Sequence, residues 1–345
     1  MLKKSIKLAV SGFLCLSLGI GVSGNYSTIK PTKVEAATFY KGVDLGWLPA
    51  METAGYKFKN ASGTYQDEMT IMKGLGVNAV RLRLWVNPSG DWYNGMCDEA
   101  HVIAMAKRAK AIGAAIMLDI HYSDTWCDPG QQKLPAAWAG DTTISTLGTQ
   151  VYNYTYQVMT DMKNAGVTPT WVQIGNETNS GFMWPLGNTS NGFANVAWLV
   201  NSGYNAVKAV SSTTQCIVHL SNGYDNSLFR WFFDGLKAAG GKWDIVGMSL
   251  YPTSSNYTTY NSQCLTNMKD MKSRYGKGVV ISEAGFASND PTNASKFLTQ
   301  LKTNVVAAGG IGIFYWEPEC YNWAGYTMGA TDATTQKPTS AMSAY

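Results

Sequence analysis

Two glutamates stand at the ends of short β-branched segments. Glu177 closes Trp171-Val172-Gln173-Ile174-Gly175-Asn176-Glu177, and Glu283 closes Gly278-Val279-Val280-Ile281-Ser282-Glu283, each with turn-forming residues close behind. Such a pattern reads as a strand whose C-terminal tip carries an acid. The tips of parallel strands meet at one face of a barrel, so acids 106 residues apart in sequence can converge there. A converging pair can hydrolyse a glycosidic bond with retention. One carboxylate attacks the sugar carbon and the other protonates the departing oxygen, the two standing about 5–5.5 Å apart.

Eight strand-like runs could carry these tips: 41–47, 77–86, 114–122, 170–177, 216–222, 243–252, 278–285 and 310–318. Helical patterns fall between them. Residues 98–113 open on acids, repeat apolar side chains at helical spacing and end on Gly113. Residues 227–240 and 291–309 share these features, with Pro291 suited to a first turn. Eight βα units in order predict a single (β/α)8 barrel with its cleft at the C-terminal ends of the strands. Longer segments after the third and fourth runs, 123–141 and 178–190, belong at the mouth, where they would build a substrate cleft.

The first 36 residues read as a secretory signal. Lys3, Lys4 and Lys7 precede an apolar run from Leu8 to Val22, and Val34-Glu35-Ala36-Ala37 offers small residues for cleavage. The apolar run is shorter than a membrane span and is interrupted by Gly and Ser, so an exported chain of residues 37–345 is expected. That chain carries 22 basic and 22 acidic residues. A balanced charge gives no basic surface for nucleic acid or an anionic membrane. Abundant Trp, Tyr and Asn suit a neutral, hydroxyl-rich ligand, although most aromatics could equally be core. Five cysteines remain, at 97, 127, 216, 264 and 320. Their spacing matches no zinc pattern, their odd number leaves at least one thiol free, and pairing among the rest stays open.

The other strand tips are polar beyond what packing requires. They carry Asp44, then Arg81-Leu82-Arg83-Leu84-Trp85, Asp119-Ile120-His121-Tyr122, Tyr251-Pro252 and Tyr315-Trp316-Glu317-Pro318. Together with Asp119-Ile-His-Tyr-Ser-Asp124, Trp126-Cys-Asp-Pro-Gly130, Pro135-Ala-Ala-Trp138, Gly175-Asn-Glu-Thr-Asn-Ser-Gly181 and Trp184-Pro-Leu-Gly187, these stretches resemble family 53 glycoside hydrolases, the endo-β-1,4-galactanases of type I arabinogalactan. The resemblance covers nearly all of residues 37–345. It implies a retaining enzyme without an organic cofactor, acting on β-1,4-linked galactan and expected to be a monomer.

Carried over by position, the resemblance implies Glu177 as acid/base and Glu283 as nucleophile. It implies a substrate-binding set of Asp44, Arg83, Trp85, His121, Asp124, Trp126, Asn176, Trp184, Tyr251 and Trp316. Asn176 is placed to bond the sugar 2-hydroxyl, and Trp316 to floor the sugar at the cut. Trp126 and Trp184 are expected to be stacking platforms. Arg83 is expected to keep Glu283 ionised, while Glu177, facing that anion, holds its proton. Asp119 is expected to pair with Arg81 or Arg83. Glu317 is expected to be structural, because neighbours along a strand point opposite ways. Departures from the family fall after Asp44, Trp85, Pro252 and Pro318, where outer sugars would bind. The segment 284–293 has one acid, Asp290, so no calcium or other metal is expected there. The competing expectations are a related enzyme cutting mannan or xylan, and a polysaccharide-binding barrel without catalysis.

Overall fold

The β-branched runs pair edge to edge into a closed ring. The computed structural model describes residues 38–88 and 94–344. In chain order the elements begin with β1 (Tyr40–Asp44), α1 (Leu48–Thr53), the short antiparallel pair β2 (Phe58–Lys59) and β3 (Tyr65–Gln66), and α2 (Glu68–Gly74). Alternation follows: β4 (Ala79–Leu84), α3 (Glu99–Ala111), β5 (Ala115–Ile120), α4 (Ile144–Asn164), β6 (Trp171–Ile174), α5 (Phe193–Val210), β7 (Gln215–Leu220) and α6 (Asn226–Ala238). The chain closes with β8 (Ile245–Leu250), α7 (Tyr257–Tyr275), β9 (Gly278–Ala284), α8 (Pro291–Ala307), β10 (Gly312–Tyr315) and α9 (Ser340–Ala344). The barrel order is β1-β10-β9-β8-β7-β6-β5-β4, with every pair parallel. The (β/α)8 barrel read from the sequence is the observed fold. The signal segment lies outside the described residues.

The helices start and stop where local chemistry allows. Asp98 caps α3 by accepting the His101 N–H, and Arg108 and Lys110 in the last turn complement the helix dipole. Asp290 caps α8 ahead of Pro291. Gly276 ends α7 in the left-handed region at φ 65°.

Two layers fill the barrel. The lower one is apolar: Ala79, Met117, Trp171, Ile217, Ile245, Val280 and Phe314 form one buried cluster. Trp171 packs edge-on against Tyr40 and Phe314. Gly42 makes room, since a Cβ there would stand 2.3 Å from the Phe314 ring. Above this plug the inward positions turn polar, with Asp44, Arg81, Asp119, Gln173, His219, Ser249 and Glu283 all buried. Buried polar groups persist only when hydrogen-bonded or paired, and this layer floors the mouth.

Among the described residues no helix is long and apolar enough to cross a membrane. The five cysteines are buried, unpaired thiols.

Candidate active site

Strand register decides whether Glu283 faces the mouth. Gly247 pairs with Val280, Met248 with Ile281 and Ser249 with Glu283, so β9 carries one extra residue, Ser282, at that step. Strict alternation from the inward Val280 would turn Glu283 toward the helices. The bulge resets the parity and brings the carboxylate inside. Glu177 lies three residues past the end of β6 with φ 45°, and Tyr122 (52°) and Glu317 (50°) hold similar positive angles beyond their strands. Non-glycine residues rarely adopt that region, and such strain gathers at functional sites.

Arg81 organises the floor. Its guanidinium bonds Asp44 at 2.6 Å and both Asp119 and Glu283 at 2.8 Å, and donates to Asn176 Oδ1 at 2.9 Å. The expected Arg83–Glu283 pairing is therefore corrected: the cation on Glu283 is Arg81, and Arg83 pairs with Glu317. Ring order supplies the reason. Arg83 is nearer the mouth, and from β4 round through β1 it meets the end of β10, which carries Glu317, before reaching β9. Glu317 also accepts the Trp47 N–H at 3.0 Å. It is buried and structural as expected, but strand alternation is not the cause, because β10 ends at Tyr315.

Around that floor a cleft of about 320 Å³ is lined by Arg83, His121, Trp126, Asn176, Glu177, Glu283 and Trp316 from the expected set, together with Arg81, Cys127, Asp128 and Gln131. Tyr251 donates its hydroxyl to Glu283 Oε2 at 2.8 Å. Asn176 gives one amide N–H to Cys127 O at 2.7 Å, and an amide has a second to offer. Trp47, Trp126 and Trp316 pack edge to face at 5.1–5.9 Å, with the Arg83 guanidinium 4.5 Å from the Trp126 ring. Four expected contacts lie elsewhere. Trp85 is 1 % exposed and donates to His121 Nδ1 at 3.2 Å from behind, while Asp44 is sealed beneath Arg81. Asp124 ties two loops together by accepting the N–H groups of Asn87 and Ala136. Trp184 is half-buried on the loop after β6 and donates to Ser180 O.

Proton positions follow from the donors. Trp85 Nε1 and Cys127 N both donate to His121 Nδ1, so the ring proton sits on Nε2 and points to Asp119 at 3.0 Å. Burial acts to raise Asp119, but Arg81 and His121 outweigh it and hold the carboxyl below its usual range. His219 Nδ1 faces the Asn176 amide oxygen at 3.1 Å but also two donors, Gln173 Nε2 at 2.9 Å and the Glu177 N–H at 3.4 Å; the donors outnumber the acceptor, which places the ring proton on Nε2, toward Ser249 Oγ at 2.8 Å. Burial, reinforced by Arg81, keeps His219 neutral by lowering it well below its ordinary value. Ser249, already accepting from His219, turns its hydroxyl proton to Glu177. Gln173, His219 and Ser249 were not singled out in the sequence; their signal is a polar side chain on an inward position of an apolar strand.

Glu177 itself is pushed up to about 8, first by burial and then by the Glu283 charge, with the Ser249 hydrogen bond and Arg81 pulling the other way. Burial and the Glu283 charge outweigh what the Ser249 hydroxyl and Arg81 return, so this carboxyl keeps its proton near neutral pH. Two carboxyls at one mouth, one bonded by Arg81 and Tyr251 and one protonated near neutral pH, form the acid-and-nucleophile pair of a glycosidase.

A parallel barrel with such a mouth defines a glycoside hydrolase. The model of glycosyl hydrolase family 53 matches residues 40–296, and the chain belongs to that family. It is 36 % identical over 324 residues to the arabinogalactan endo-β-1,4-galactanase A of Emericella nidulans, covering 87 % of this chain and 91 % of that protein. With the arabinogalactan endo-β-1,4-galactanase of Thermothelomyces thermophilus it shares 34 % over 322 residues, covering 86 % and 95 %. Among solved structures, the Ignisphaera aggregans family 53 catalytic domain superposes with a TM-score of 0.81 at 27 % identity, over 91 % of this chain and 97 % of that one. A fungal β-1,4-galactanase superposes at 0.80 with 32 % identity, over 90 % and 99 %.

Proposed function

We propose that this enzyme is an exported, monomeric endo-β-1,4-galactanase that cuts the galactan backbone of type I arabinogalactan with retention of configuration. The observation that carries the mechanism is the asymmetry of the two carboxyls: Glu283 is bonded by the Arg81 guanidinium and the Tyr251 hydroxyl, while Glu177 keeps its proton to about pH 8. Glu283 attacks the anomeric carbon and forms an ester bond as Glu177 gives its proton to the departing 4-oxygen. Glu177, now a carboxylate, takes a proton from water; that oxygen bonds the anomeric carbon and Glu283 leaves as the free carboxylate. Asn176, with a spare amide N–H at the cleft, serves the sugar 2-hydroxyl. Trp126 and Trp316 supply flat walls, and Trp184 extends the surface along the loop after β6.

The substrate reading is supported by relatives named for this activity and by loops after β5 and β6 that keep the family motifs. A panel of pure galactan, mannan, xylan and β-glucan tests it. Galactan should be cut internally, and depolymerisation of mannan or xylan with galactan intact would sink the proposal. The roles are tested by substitution. Glu283→Ala should be inactive on every substrate, while Glu177→Ala should retain more activity on aryl glycosides with good leaving groups, which need less protonation. Equal losses on an activated substrate would overturn the assignment.

A further inference from the structure

On the outer wall of the barrel, Trp198 of α5 is 52 % exposed and Tyr156 of α4 is 44 % exposed. Trp198 is seated rather than loose. Its indole lies over Gly148 in the second turn of α4, where a Cβ would stand 2.3 Å from Trp198 Nε1 and 3.0 Å from Ser202 Oγ. A glycine inside a helix costs up to about 1 kcal/mol relative to alanine, and here it provides the notch that beds a half-exposed indole. One turn further along α4 is Tyr152, which stacks on Tyr156 with ring centres 6.0 Å apart and planes within 14°. From Gly148 to Tyr156 the helix rises about 12 Å, the span of a short oligosaccharide.

Charge is sparse along the strip. The only charged residues of α4 are Asp161 and Lys163, near its end, and the only one of α5 is Lys208. Surface faces of helices are ordinarily about a quarter to a third charged. Here they present Ser145, Thr149 and Asn153, hydroxyl and amide groups beside exposed rings, while the Gln157 amide is held by Asp161 at the far end. Exposed aromatic surface ringed by polar groups marks an interaction site, and a neutral, hydroxyl-rich chain with CH faces complements this one. Trp231 of α6 provides a contrast. It is 50 % exposed, but it packs on Phe193 and its helix carries Arg230 and Asp234 in ion pairs.

Position completes the argument. In this barrel each helix starts at the catalytic face, because it follows the C-terminal tip of a strand. Trp198 and Gly148 lie in the first two turns of their helices, so the strip begins near the mouth and runs down the side. The loop bearing Trp184 leads from Glu177 into α5.

We infer that the Trp198–Tyr152–Tyr156 strip is a second, non-catalytic binding site for a neutral β-linked polysaccharide, holding polymer that extends beyond the cleft. The ligand class rests on the proposed activity. The probe is soluble β-1,4-galactan, with xylan and mannan in parallel, cast into native gels through which the Glu283→Ala enzyme migrates without cutting the polymer. Adding Trp198→Ala or Tyr156→Ala should weaken retardation roughly tenfold, the scale of one aromatic contact; adding Trp231→Ala should not. In the active enzyme, Trp198→Ala should raise KM for polymer and leave kcat/KM on a short chromogenic oligosaccharide unchanged. Gly148→Ala, which dislodges the indole without removing it, should act in the same direction and guards against a folding artefact at Trp198. Retardation equal to the parent's in both Trp198→Ala and Gly148→Ala overturns the site. So does a dimer seen by light scattering that Trp198→Ala dissolves, which would make the strip an interface between copies. Trp198-dependent retardation by xylan or mannan, with galactan uncut, would keep the site and sink the galactanase reading. Galactan cut normally without such retardation would do the reverse.

Discussion

Replacing Ser249 with alanine should move the alkaline limb of the pH–rate profile upward. The hydroxyl accepts from neutral His219 at 2.8 Å and gives its proton to Glu177, stabilising the ionised form of that acid. A hydrogen bond to a charged group is worth about 1.5–3 kcal/mol, and 1.36 kcal/mol corresponds to about one pKa unit. The full loss would thus raise Glu177 by about one to two units above its value near 8. Glu177 is half-buried rather than sealed, so water can replace part of the lost donor and a rise of about half to one unit is the working figure. The sign follows from the role. The acid must be protonated to assist departure, so kcat/KM falls as pH rises through its pKa, and a higher pKa extends activity to more alkaline pH. The assay is kcat/KM between pH 4 and 10 on a substrate with a poor leaving group, where protonation matters most. On an activated aryl glycoside the displacement of the limb should shrink. An alkaline limb that stays put or moves down would refute both the proton direction through Ser249 and the assignment of that limb to Glu177.

The barrel and its two acids were legible because tips are local features: a β-branched run, a glutamate and a turn. What each tip touches was less so. Arg81 and Arg83 share a face two residues apart, and nothing local says which acid each will meet; that depends on β10 lying between β9 and β1 in the ring. Trp85 looks like a platform at a strand tip, yet the loop carrying Cys127 and the indole converge on His121 Nδ1 and leave Trp85 in the core. The bulge at Ser282 was invisible. Alternation from Val280 alone would have turned Glu283 away from the cleft, so the correct reading came from its place at the tip and not from its parity. The pair β2–β3 has two residues per strand, too few to leave a period in the sequence.

Three further changes separate the electrostatic roles. Arg83→Met should leave the acidic limb of the pH profile where it is, since Arg81 holds Glu283, but should lower stability by about 3–5 kcal/mol by abandoning buried Glu317; thermal melting with a pH–rate profile checks both, and a displaced acidic limb would restore the Arg83–Glu283 pairing. Tyr251→Phe removes a donor from the Glu283 carboxylate and should move that limb upward; an unmoved limb would show that the hydroxyl only packs. The last concerns Glu319, buried beside Glu317. Burial first, then the Glu317 charge, lifts its carboxyl well above the normal range, whereas in the unfolded chain it titrates near 4.5. A group raised on folding contributes stability that is complete below the unfolded pKa and is lost as pH climbs to the folded one, at about 1.4 kcal/mol per unit crossed. Glu319→Gln keeps a neutral side chain of the same shape and has no proton to lose. Its melting temperature should match that of the parent near pH 4 and exceed it by a few degrees at pH 7–8. Equal melting at both pH values, or a variant less stable at pH 8, would mean that Glu319 is ionised in the folded protein and held by a cationic or donor partner.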